Sequence, residues 1–161
     1  MIIDCFSTDK FAVKELADRM GDNVVSLSDV LSSDSEELFS EKPFVFAVDY
    51  DFCLDFTVVS RFMSMKFTGS KVLYIVYVNV AAQGKTIDLA KRIATAKKFV
   101  LFGVDDICHA RLTKDEYFAK IDMLGERMRN VVPFDGNKAI DFPYGATKSA
   151  KENLSAEKYF N

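Results

Sequence analysis

The stretch that decides the fold is the first twenty residues, MIIDCFSTDKFAVKELADRM (1–20). Residues 1–6 (MIIDCF) read as a buried strand. Ser7 and Thr8 break the run, and Asp9 stands where a helix N-cap belongs. Val13, Leu16, Ala17 and Met20 then recur at i, i+3, i+4 and i+7, which is one apolar helix face. Gly21 follows as the stop. A strand, a short polar turn and a helix in that order form the junction that cradles phosphates in many α/β proteins. The question is whether Ser7-Thr8-Asp9-Lys10 does so here.

Working outward, the same alternation continues. Residues 23–27 (NVVSL) predict a second short strand. Residues 28–41 are polar and acidic, with a weak helix expected at 34–39. Residues 43–48 (PFVFAV) form a continuous apolar run, as a central strand covered on both faces requires. Phe56, Val59, Phe62 and Met63 have helical spacing. Residues 71–78 (KVLYIVYV) carry the strongest strand signal, Ile87, Ala90 and Ala94 mark the next helix, and residues 98–102 (KFVLF) predict a fifth strand. Thr113 and Glu116 make a T-x-x-E capping box. Tyr117, Ile121, Leu124, Met128 and Val131 place an apolar stripe along the last helix, which Pro133 ends. The expectation is an α/β fold with a doubly wound, five-stranded parallel sheet of order 2-1-3-4-5 and helices on both faces. Ligands then belong at the carboxyl ends of the strands, which selects the loops 7–10, 49–55 and 79–85.

Length and composition are those of one globular domain: 161 residues, 49% hydrophobic, net charge −3. Fifteen Phe and no Trp predict a phenylalanine-rich interior. No basic block points to nucleic acid, and no apolar run reaches the length of a membrane span. The first residues lack a secretory pattern, and the three Cys are odd in number and widely spaced. Free thiols in a reducing cytoplasm are expected. Residues 1–132 are expected to be the domain and 133–161 a C-terminal tail, with a short helix around 148–159. The tail holds few large apolar residues. Phe142, Tyr144, Leu154, Tyr159 and Phe160 would be its anchors on a partner.

In strand-to-loop order and local pattern, residues 1–131 resemble the flavodoxin-like family. FSTDKFAVKELADRM stands where that family has a hydroxyl- and glycine-rich phosphate turn and its first helix. FAVDYDFCLDF stands where a loop brings an aromatic against the flavin, and VNVAAQGKT stands at the second ring-contacting loop. The resemblance implies a three-layer αβα domain that binds FMN and transfers electrons. Ser7, Thr8 and Lys10 would hold the phosphate. Tyr50, Asp51 and Phe52 would form the ring loop, and Ala81, Ala82 and Gly84 would give backbone contacts. The turn lacks the family's glycine and asparagine. Asp9 also puts a negative charge where the phosphate would sit, a repulsion of about 4 kcal/mol for unit charges at about 4 Å and an effective dielectric of about 20. The alternative is therefore a flavin-free interaction module with the same fold. It would bind a protein partner through its acidic carboxyl edge (Asp49, Asp51, Asp55, Asp105, Asp106) or its tail.

Other chemistries find less in the chain. A Cys-x5-Arg phosphatase motif fails because Phe11 stands six residues after Cys5. A receiver-type phospho-acceptor at Asp49 or Asp51 lacks its second acid after strand one and its lysine after strand five. Gly84-Lys85-Thr86 has Asn79 where a phosphate loop needs its first glycine. Cys5, Cys53, Cys108 and His109 contain no C-x-x-C pair to pre-organise a metal. His109, the single histidine, reads as a surface loop residue.

Overall fold

The computed structural model describes residues 1–34, 36–53 and 56–130, the side chains of 51, 53 and 56 excepted. The predicted tail at 133–161 lies outside these residues. Along the chain come β1 (Ile2–Cys5), α1 (Lys10–Met20), β2 (Val24–Ser26), α2 (Leu27–Ser32), β3 (Glu37–Ser40), β4 (Phe44–Val48), α3 (Phe56–Ser64), β5 (Lys66–Gly69), β6 (Val72–Tyr77), α4 (Lys85–Ala96), β7 (Val100–Asp106) and α5 (Lys114–Arg129).

Five strands pair in parallel in the order β2-β1-β4-β6-β7. β3 and β5 pair only with each other, in a separate two-stranded parallel ladder. The five strands of the main sheet, counted along the chain, therefore stand second, first, third, fourth, fifth. The central strands β1, β4 and β6 are buried at every residue, as strands covered on both faces must be. The alternating side chains separate two cores. Ile2, Val45, Tyr74 and Val76 meet Leu16, Ala17, Ile121 and Leu124 of α1 and α5. Ile3, Phe44, Phe46, Leu73 and Ile75 meet Leu27, Phe62, Ala90 and Ile93 of α2, α3 and α4. Helices thus cover both faces, in keeping with a three-layer arrangement.

The second core is the phenylalanine-rich one. Phe46 lies 5.3 Å from Phe62 and 6.1 Å from Phe99, both edge-on. Phe67 joins Phe44, Phe62 and Phe99 at 5.2–5.5 Å. Edge-to-face geometry at these separations is favourable for aromatic quadrupoles. On the other face α1 and α5 approach closely at Gly125, where a Cβ would stand 2.5 Å from Cβ of Arg19. Arg19 bonds to Asp122 of α5 and to Glu15 of its own helix, so the contact is polar at its rim.

The structure differs from the sequence expectations in three places. The weak helix expected at 34–39 is instead α2 at Leu27–Ser32 followed by β3 at Glu37–Ser40. Leu27 and Val30, three apart, form the buried face of α2, so Leu27 leaves the strand predicted for 23–27. β5 was not expected. It exists because β3 pairs with it in register from Glu37↔Lys66 to Ser40↔Gly69, with Thr68 donating to Glu37 at 2.6 Å. Such a partnership between distant segments leaves no periodic signature in either one. Finally, β7 runs to Asp106 instead of ending at Phe102. The register shifts between Leu73 and Tyr74 of β6, which face Leu101 and Gly103, so Phe102 is the extra residue of a bulge. No described helix is long and apolar enough to cross a membrane.

Candidate functional site

β1 and β4 are adjacent and parallel, with Cys5 opposite Val48. The turns that follow them therefore meet at the carboxyl edge of the sheet. Directly after β1, Phe6 adopts a left-handed backbone (φ 63°), a conformation that costs a residue with a side chain roughly 1–2 kcal/mol. The turn is held in place by hydrogen bonds. Ser7 N–H donates to Asp4 Oδ1 at 2.7 Å, and Thr8 N–H donates to Asp49 Oδ2 at 2.8 Å. Asp9 N–H donates to Ser7 Oγ at 3.1 Å. Thr8 Oγ1 also donates to Asp49 Oδ2, at 2.7 Å, while Asp49 Oδ1 accepts from Tyr50 N–H at 2.6 Å. Asp9 caps α1 through Ala12 N–H. Lys10 Nζ pairs with Asp4 at 2.5 Å.

The N–H groups of Ser7, Thr8 and Asp9, which could otherwise converge on an external phosphate, are therefore already engaged. Two of the acceptors, Asp4 and Asp49, are buried carboxylates, 4% and 2% exposed. A buried carboxylate needs such donors, because desolvation without them is costly. Asp49 occupies chemically the place a bound anion would take. An FMN phosphate at this turn would have to displace these bonds.

The expected ring loops are arranged as follows. Tyr50 is 44% exposed at the carboxyl edge, whereas Phe52 is fully buried and packs edge-on against Phe62 at 6.0 Å. Phe52 presents no face to a ligand, because the short 3-10 turn at Tyr50–Cys53 turns it into the core. The Asp51 side chain lies outside the described residues, as does Asp55. After β6, Ala81 N–H donates to Asn79 Oδ1, and Ala82 N–H to the Asn79 carbonyl. Gly84 (φ 116°) precedes α4. These two backbone donors also serve the turn itself.

The carboxyl edge is less acidic than its composition. Lys120 pairs with both Asp105 and Asp106, Arg127 with Asp105, and Arg111 with Asp106. Burial alone raises the Asp106 pKa, but the hydrogen bond and charge of Lys120, with Arg111 behind them, outweigh it and hold the carboxyl below its ordinary value. A depressed folded pKa adds stability above the unfolded value of about 3.9, and this is lost as pH falls through the folded value. Asp106→Asn is therefore expected to lower Tm at pH 7 by a few degrees, corresponding to about 0.5–1 kcal/mol for a partly exposed pair. The gap from wild type should close as pH is lowered below about 4. Thermal melts across that range check it, and a gap independent of pH would contradict it.

Beside the closed turn lies an open cleft of about 770 Å³, lined by residues of the turns after β1, β6 and β7 and of the first turns of α1 and α5. Phe11, Val80, His109, Lys114, Tyr117 and Phe118 form much of its wall. The sequence reading missed most of this group. Its one available signal was the Thr113–Glu116 capping box, present with both of its hydrogen bonds. That box fixes where α5 begins, but not that α1 begins beside it. His109 is exposed, as expected, and sits edge-on to Tyr117 at 5.0 Å. Tyr117 donates its hydroxyl to Asp9 Oδ2 at 2.7 Å; burial, then that bond, push its pKa far up. Cys108, buried at the back of the cleft, has its thiol pKa raised by burial. It is not set up as a nucleophile. Among the described residues no three His, Cys, Asp or Glu side chains group as metal ligands.

No family model, curated protein or solved structure matches the chain.

Proposed function

We propose that this chain is a flavodoxin-like domain working without flavin, as an interaction module that binds a protein partner at the carboxyl edge of its sheet. The strand order supports the fold assignment. The observation that carries the functional reading is the Asp49 carboxylate. It accepts from Thr8 N–H, Thr8 Oγ1 and Tyr50 N–H, so the turn that would grip a flavin phosphate is closed from within. Lys10, the cation nearest that turn in sequence, is paired with Asp4. Phe52, one of the two candidate ring contacts, is in the core.

What the edge does offer is apolar surface. Phe11, Tyr50 and Val80 are 49%, 44% and 39% exposed, all in or beside turns on that edge. Exposed aromatic and aliphatic side chains of this kind mark interaction surfaces. Asp105 and Asp106 are engaged by Lys120, Arg111 and Arg127. Recognition is accordingly assigned to apolar contact, with charge in a secondary role.

The purified protein is expected to be colourless, without flavin absorbance near about 450 nm, and FMN fluorescence should stay unchanged when the protein is titrated in. A yellow protein carrying equimolar FMN would overturn the reading in favour of an electron-transfer flavoprotein.

A further inference from the structure

We propose that the outer edge of β3 is a strand-addition site for an extended, basic segment of a partner protein. This surface is separate from the carboxyl edge. β3 ends at Ser40, whose hydroxyl accepts from the Met1 ammonium at 3.3 Å, beside the amino ends of β1 and β4.

The hydrogen-bond pattern defines the edge. In the β3–β5 ladder the Glu36 and Ser40 carbonyls accept from the N–H groups of Lys66 and Ser70 at 2.8 and 2.7 Å, so the even-numbered residues of β3 face β5. Alternation turns the N–H and C=O of Phe39 to the opposite edge, where neither has a partner among the described residues. The other edge of the ladder is guarded. There the Phe67 carbonyl of β5 accepts from Lys71 Nζ at 2.9 Å, and lysine is a common protection of an open strand edge. β3 carries instead the Phe39 ring, 59% exposed, more than any other large apolar side chain among the described residues. The ring lies against Gly69, where a Cβ would stand 3.1 Å from its Cε2. Open main-chain groups beside an exposed apolar side chain are what an added strand uses, the first for hydrogen bonds and the second for side-chain contact.

Charge selects the occupant. Residues 34–41 hold Asp34, Glu36, Glu37 and Glu41 and no base. All four acids are exposed. Asp34, Glu36 and Glu41 make no ion pair with a described residue. The neighbouring bases are directed elsewhere. Lys42 Nζ donates to the Gly21 carbonyl at 2.6 Å and Arg61 to the Ser33 carbonyl at 3.2 Å, while Lys66 stands on β5. A second copy fits this edge poorly. Antiparallel pairing of two β3 edges about Phe39 sets Glu37 of each copy opposite Glu41 of the other, and like charges directly opposed destabilise a strand pair. A segment that alternates apolar residues with Lys or Arg supplies the missing main-chain partners, covers the Phe39 ring and meets the acids with opposite charge.

The test uses the full-length protein and two end-blocked peptides, acetyl-Lys-Val-Lys-Val-Lys-Val-Lys-amide and its counterpart with Glu in place of every Lys. The Lys peptide should bind saturably and about tenfold more tightly than the Glu peptide. In the free protein the Phe39 amide should exchange rapidly with solvent, and at saturation its exchange should slow by about tenfold. Phe39→Pro removes that N–H and the exposed ring but spares the bonds of β3 to β5, since an outward-facing edge position tolerates proline. It should weaken the Lys peptide by about tenfold. The double variant Glu36→Lys, Glu41→Lys changes two exposed side chains and no backbone, and it should weaken that peptide comparably even if the proline variant does not fold. Failure of the Lys peptide to bind saturably, equal affinity for the two peptides, or a Phe39 amide left unprotected at saturation would overturn the proposal. Protection of the Phe39 amide in a peptide-free dimer would also overturn it, giving the edge to a second copy. Displacement of the Phe11, Tyr50 and Val80 signals in place of Phe39 would overturn it as well, while leaving the carboxyl-edge reading intact.

Discussion

Phe46→Ala is expected to destabilise the protein by about 3–5 kcal/mol, the range for emptying a fully buried phenylalanine site. Phe46 is 0% exposed, at the middle of β4, which is itself the middle strand of the main sheet. Its ring contacts Phe62, Phe67 and Phe99, which come from α3, β5 and the segment leading into β7. Truncation leaves a void that these rings cannot fill together, because each is also committed to others of the set. The loss is a large share of the roughly 5–15 kcal/mol typical of a whole domain. Urea unfolding should show a sharply lower midpoint. A change under about 1 kcal/mol would mean that the aromatic cluster collapses without cost, against what close-packed interiors do.

Asp49→Ala should cost about 2–3 kcal/mol. The carboxylate is 2% exposed and accepts three hydrogen bonds from residues on two different turns. Removing it leaves the Thr8 and Tyr50 N–H groups without their acceptor in a partly buried turn. Asp49→Asn separates charge from size. The amide has one acceptor oxygen, so its NH2 group must face either the Thr8 pair or Tyr50 N–H, donor against donor. It should therefore be destabilised by a similar amount despite equal volume. Thermal melts of the two variants measure this. An Asn variant as stable as wild type would show that the carboxylate does not organise the turn.

Much of the architecture was legible in the sequence because it is written locally. The 43–48 and 71–78 runs are apolar at consecutive positions, which only strands covered on both faces need. Val13, Leu16, Ala17 and Met20 repeat with the helical period, and all four are buried against the sheet. What escaped depends on partners distant in sequence. β3 and β5 stabilise each other across the chain. Val104, Asp105 and Asp106 extend β7 by pairing with Ile75, Val76 and Tyr77 of β6, and α5 supplies Lys120 and Arg127 to the two aspartates. The same distinction governs the site. Ser7, Thr8 and Asp49 could each be picked out as edge residues. That Asp49 reaches across one strand spacing and takes the donors of the β1 turn follows only from β1 and β4 being neighbours. Likewise, Phe11 and Tyr117 are separated by most of the domain in sequence, and they form one aromatic wall only because α1 and α5 start at the same edge.

The central claim is that the turn after β1 is closed by the protein's own carboxylates and holds no flavin phosphate. The most direct measurement is a set of ¹H–¹⁵N NMR spectra of the full-length protein titrated with FMN, following the amides of Ser7, Thr8 and Asp9. These three signals are predicted to stay where they are at every FMN concentration. Their joint, saturating displacement would contradict the account.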